Sequence, residues 1–238
     1  MPFDFDFEFG LVPFRGGSVD ISKDIKQTRT LVLKDDVDGS MAETTLMGLR
    51  VLSVIDPKKP ILIHLNSWGG NMDDCGAIVD AVNACPAPVY TVCFGPAYSA
   101  AAMILALGQP GRRAITPHGS VMFHTVKAGS DYDQPKNIEG HANFTKQQFY
   151  KLSKEICKRT AFKYRDFKKA MDANDEIWLT PQEAKKKKVV DIIWTPAVAR
   201  RFYAEANSVK KKDKDDDDIT EVKKQLEQIL KIAEAEKK

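Results

Sequence analysis

Apolar residues come in short bursts along the chain, and most bursts lead through a glycine-bearing turn into a stretch with helical spacing. The runs Thr30 to Leu33, Ile61 to Leu65, Val89 to Phe94, Ala114 to Thr116 and Val121 to Phe123 predict β-strands. Recurrence at three- and four-residue steps predicts helices over Ala42 to Ile55, Met72 to Ala84, Ser99 to Leu107, Ile138 to Thr160 and Pro181 to Lys188. Strand and helix in alternation predict an α/β domain, parallel strands joined by crossover helices, over residues 28–204.

The flanks follow other patterns. In residues 1–27 the opening FDFDFEF alternates Phe3, Phe5, Phe7 and Phe9 with Asp4, Asp6 and Glu8, so an extended segment has one aromatic and one acidic face. Aromatics left in water are costly, and the segment is expected to dock on this or a neighbouring subunit. Residues 205–218 contain the run SVKKKDKDDDD, too charged to bury a core, and read as a linker. Over 219–238, Ile219, Val222, Leu226, Ile229, Leu230 and Ala233 form an apolar helical stripe, started by a capping-box-like Asp218 and Glu221.

Composition narrows the classes. With 238 residues, 43% of them hydrophobic, the chain can bury one sizeable core. Its longest apolar stretch, Ser99 to Leu107, is about half of the ~20 residues that a membrane span needs, so no membrane is expected. The first twenty residues hold four acids and one base, Arg15, unlike a secretory or transit peptide, and a cytoplasmic location is expected. Cys75, Cys85, Cys93 and Cys157 show no CxxC or His/Cys ligand spacing and read as reduced core thiols, with no metal or cofactor expected. A net charge of +3 supplies no field for nucleic acid, and Lys185 to Lys188 and Lys210 to Lys212 read as solvated surface.

Candidate chemistry centres on GPAYSAA, which sets Ser99 between an apolar strand and an apolar helix. An isolated serine there reads most simply as a helix N-cap. Three neighbours change the weighing: ILIHLNSWGG ends in Gly69-Gly70, which lets bare amides approach a ligand; SVMFH puts His124 at the end of a strand; and Asn174-Asp175-Glu176 supplies acids just before Ile177-Trp178-Leu179. Together they offer a nucleophile, a base, an acid to orient the base and amides for an oxyanion. The start of a helix also favours negative charge. No G-x-S-x-G elbow is present, because Ala101 stands where its second glycine belongs.

At Asn66-Ser67-Trp68-Gly69-Gly70, Gly95-Pro96-Ala97-Tyr98-Ser99-Ala100 and Met122-Phe123-His124 the sequence resembles the proteolytic subunit family of the ATP-dependent Clp protease, ClpP, in the ClpP/crotonase superfamily. The resemblance covers roughly residues 28 to 195, with Ser99 29 residues after Gly70 and 25 before His124. It implies repeated β-β-α units with a protruding handle helix, the substrate strand and handle falling over Thr125 to Asn143. It further implies a serine endopeptidase with Ser99 as nucleophile, His124 as base and the amides of Gly70 and Ala100 as oxyanion hole. Thr180-Pro181-Gln182-Glu183-Ala184 marks the segment after the family's third catalytic residue, and counting back lands on Glu176, with Asp175 beside it; Asp191 matches another position.

The same resemblance implies stacked heptameric rings fed with unfolded chains by a separate AAA+ Clp ATPase, and no G-x-x-x-x-G-K-[ST] is present for this chain to be that ATPase. Departures from the family are Trp68 for proline, which bears on the Gly70 amide or the cleft; Tyr98 and Ala101, whose bulk is expected to narrow the pocket; and Lys188 at a usual glycine. A crotonase-like acyl-thioester enzyme and a catalytically silent ring or scaffold subunit are the alternative readings.

Overall fold

The structure, a computed structural model, describes residues 12–14, 17–19, 28–126 and 135–206. It begins with a small antiparallel pair, β1 (Val12–Phe14) and β2 (Gly17–Val19). The Phe-rich opening, the charged run after Ala206 and the expected C-terminal helix lie outside the described residues.

Seven strands form the main sheet: β3 (Thr30–Val37), β4 (Ile61–Gly70), β5 (Val89–Tyr98), β6 (Arg113–Ile115), β7 (Ser120–Phe123), β8 (Ile177–Leu179) and β9 (Ile192–Ile193). They run in the order β3-β4-β5-β6-β9, with β7 on β5 and β8 on β7. The expected parallel α/β architecture holds throughout the path, and β8, which was not among the expected strands, pairs antiparallel with β7. β5 carries two partners in turn: Thr91–Cys93 pair with β6, and Pro96–Tyr98 pair with β7. Gly95 lies between those halves at φ 92, a bend that an L side chain resists.

Helices α1 (Gly39–Ile55), α2 (Met72–Ala84) and α3 (Ala100–Ala106) follow β3, β4 and β5. α4 (Pro135–Arg159), α5 (Tyr164–Asp172), α6 (Pro181–Lys186) and α7 (Pro196–Ala206) complete the described chain. Their starts are written in the sequence. Asp38 accepts the Met41 amide ahead of α1, Asn71 accepts the Asp73 and Asp74 amides ahead of α2, and Thr180 with Glu183 closes a capping box on α6. α1 buries Ala42, Thr45, Leu49 and Leu52, a stripe at three- and four-residue steps.

The larger core lies on the sheet face covered by α1, α2 and α3, where Leu31, Ile63, Leu65, Ile78, Val89 and Ile104 are buried. Burying a side chain of this kind stabilises by ~1.5–3 kcal/mol. Leu62, Val92 and Ala114 project to the opposite face and pack against Trp194 and Phe202, the latter on α7. All four cysteines are free; Cys75 and Cys93 are buried and Cys85 and Cys157 half-buried. Among the described residues no helix is long and apolar enough to cross a membrane.

Candidate functional site

Ser99 occupies the N-cap position of α3, yet its side chain makes no capping bond. Its backbone sits at φ 55 and ψ −122, a region costly for a residue with a Cβ. The simple N-cap reading therefore fails. The residue is held there from two sides: its amide donates to the Met122 carbonyl at 2.8 Å, and Gly69 presses against it. A Cβ on Gly69 would fall 2.6 Å from Ser99 Cβ and 3.0 Å from the Ala100 nitrogen, so only glycine permits this approach.

The turn of β4 that carries the glycines is fixed by hydrogen bonds. The Gly69 amide donates to Ser67 Oγ at 3.1 Å, and the Asn71 amide donates to the Val37 carbonyl at 2.7 Å. Both bonds lie on the β3 side of the strand. Gly70 itself packs against the backbone of Val37, and Ala100 is fully buried at the first turn of α3.

His124 follows β7 directly and is half-buried, with Nδ1 2.5 Å from the Thr125 carbonyl. A carbonyl only accepts, so Nδ1 is the donor in this contact. The β7–β8 register pairs Val121 with Leu179, Met122 with Trp178 and Phe123 with Ile177, so His124 and Glu176 are the residues that flank the last pair. The exposed Glu176 carboxylate accepts a 2.9 Å bond from Trp178 Nε1. The Asp175 amide donates to the Ala170 carbonyl at 2.9 Å, ending α5 in a Schellman motif around Asn174 at φ 62.

Other candidates drop away. Asp191 binds Arg113 through two side-chain bonds and accepts the Gly111 and Arg113 amides. Burial works to raise its carboxyl, but Arg113 and these amides outweigh that and hold it below the usual aspartate value. Desolvation pushes the Cys75 and Cys93 thiols up to about 12 and Cys157 up to about 11, so none offers a thiolate. His64 stacks on Phe94 at 3.8 Å between centroids, and burial lowers its pKa.

Of the departures noted in the sequence, Trp68 projects outward, 70% exposed, with its ring edge-to-face against Tyr98 at 5.2 Å. Tyr98 meets Trp178 at 5.1 Å and bonds Ser120 Oγ through its hydroxyl at 2.8 Å. An aromatic row thus crosses β4, β5 and β8 beside Ser99, and Trp178 in it had no motif to announce it. Ala101 is fully buried in the main core.

A family model described as Clp protease matches residues 15–197. The ATP-dependent Clp protease proteolytic subunit of Bacteroides thetaiotaomicron is 33% identical over 175 residues, 73% of this chain and 77% of that protein. The ATP-dependent Clp protease proteolytic subunit 2 of Corynebacterium jeikeium is 33% identical over 168 residues, 71% of this chain and 79% of that protein.

Proposed function

This chain belongs to the Clp protease family, and from that premise we infer that it is a serine-type endopeptidase, the proteolytic subunit of a Clp-type compartmental protease. The observation that carries the reading is Ser99: a strained serine at a helix start, not used as a cap, pinned to β7 and touched by a glycine. Strain of that kind persists where surrounding structure enforces it, and it clusters at functional sites.

In the reaction Ser99 Oγ attacks the substrate carbonyl while His124 Nε2 takes the hydroxyl proton. The tetrahedral oxyanion receives the amides of Gly70 and Ala100, His124 returns the proton to the leaving amine, and water hydrolyses the acyl-enzyme. Glu176 is the acid we favour, because it and His124 flank the last β7–β8 pair, Phe123 with Ile177; to serve, its carboxylate must leave Trp178 and replace the Thr125 carbonyl at His124 Nδ1. Asp175 is the lesser candidate, its backbone being committed to the end of α5. This chemistry uses no metal or cofactor.

The substrates are unfolded polypeptides and peptides, delivered by a separate AAA+ Clp ATPase into a chamber of stacked heptameric rings. Support for a homo-oligomer comes from α1, whose outer side exposes Leu46, Met47, Val54 and Ile55, and from Phe144 on α4, 54% exposed. Four free thiols fit a reducing, cytoplasmic setting. Neither nucleic acid nor membrane enters the reading.

A serine-directed fluorophosphonate tests it. Wild type is expected to take the label and to hydrolyse small peptides, Ser99→Ala to do neither, and His124→Ala to assemble while losing hydrolysis. A folded, assembled wild type that takes no label points to a silent ring subunit, and turnover of acyl-CoA points to a thioester enzyme.

A further inference from the structure

Two irregularities in the sheet meet at one buried hydroxyl. β3 shifts register against β4 between Lys34 and Asp36, and β4 shifts against β5 between Leu65 and Ser67. Within the first shift Asp35 takes a left-handed backbone at φ 71, and its carbonyl accepts the hydroxyl of Ser67. That same hydroxyl oxygen accepts the Gly69 amide at 3.1 Å, and Ser67 is 0% exposed. A single side chain thus donates to one strand and accepts from the turn that touches Ser99.

We infer that Ser67 is a positioning residue that selects which amide of the Gly69-Gly70 turn is presented to the oxyanion. The inference rests on the peptidase reading above. Gly69 and Gly70 depart from regular strand at φ 104 and 154, yet the parallel register of Asp36 with Gly69 and Val37 with Gly70 is kept, and in such a ladder alternate amides reach the neighbouring strand. The Gly69 amide is spent on Ser67 and the Asn71 amide on Val37, both at the β3 edge. The intervening Gly70 amide therefore faces the β5 edge, which ends at Ser99. Glycine permits many backbone conformations, so a Gly-Gly peptide holds this orientation only if something fixes it. Without the hydroxyl, the Gly69 amide and the Asp35 carbonyl lose their partner in a dry site, and rotation of the turn to re-pair them carries the Gly70 amide with it.

The test compares Ser67→Ala and Ser67→Cys with wild type in the assembled full chain, using a small peptide substrate, a peptide boronate as mimic of the tetrahedral state, and the product peptide. Removing an oxyanion donor costs ~10²–10³ in turnover. The expectation is a fall in kcat of ~10²-fold for Ser67→Ala and ~10-fold for Ser67→Cys, whose sulfur bonds weakly. KM and product-peptide affinity stay within about twofold, boronate affinity falls with kcat, and the pH profile keeps its shape because His124 is untouched. A Ser67→Ala protein with kcat and boronate affinity within about threefold of wild type overturns the inference. So does a loss in Ser67→Cys that falls on KM instead. A wild type that neither labels nor hydrolyses strikes the peptidase reading, and this inference with it.

Discussion

Lys188 and Ser99 both take a positive φ, 56 and 55, that glycine tolerates better than a residue with a Cβ, and they carry different consequences. Lys188 ends α6 in a Schellman motif, its amide donating to Lys185 at 3.0 Å and that of Val189 to Ala184 at 2.8 Å, with its side chain in solvent. Nothing in the candidate chemistry uses that strain. Lys188→Gly is expected to stabilise by ~1 kcal/mol, read as a higher denaturant midpoint at unchanged slope, with peptide hydrolysis unaltered. This position was flagged by the family resemblance, which puts glycine there, while the periodicity alone carried the predicted helix through Lys188 and the helix ends at Lys186. The strain at Ser99 was not legible in the sequence, since serine at a helix start predicts an ordinary cap; only the contact with Gly69 and the bond to Met122 reveal another use.

At the scale of elements, the strands run longer than their apolar runs. β4 continues through Asn66-Ser67-Trp68-Gly69-Gly70 and β5 through Gly95-Pro96-Ala97-Tyr98, stretches whose glycines and polar residues read as turns. They are bulged strand because neighbouring strands pair with them on either side. α5 was missed for a different reason: in YRDFKKAMD only Phe167 and Met171 are buried, too few to declare a face. β8 and β9, with three and two residues, lie below any periodic signal. Asp191, just before β9, joins such pieces by gripping Arg113 on β6, which also donates to the Ala106 and Arg159 carbonyls. Arg113 is 4% exposed, so Asp191→Asn leaves a buried cation without its counter-ion and is expected to cost ~3 kcal/mol near neutral pH. Because the folded-state pKa of Asp191 is depressed, its stabilisation is complete above the ordinary aspartate range and is lost as pH falls through the folded value. Thermal unfolding is expected to show a wide gap between wild type and variant at neutral pH that narrows in acid.

For the whole molecule, the described elements close into two cores, one on each face of the main sheet, and residues 208–238 lie outside the described residues. Removal of that segment is expected to leave small-peptide hydrolysis within about twofold of wild type and the assembly size in solution unchanged, by light scattering; collapse of the particle contradicts it. Sequence alone determined the alternation of strand and helix and the α/β class, because burial periodicity and caps are local properties of a chain, and its short motifs nominated Ser99, His124, Gly70 and the Asp175-Glu176 pair as candidates. Tertiary structure decided the rest. That Ser99 does not cap, that β8 runs antiparallel to β7, and that Ser67 bridges two strands all depend on register between segments far apart in sequence, and register is set by packing and hydrogen bonding across the sheet.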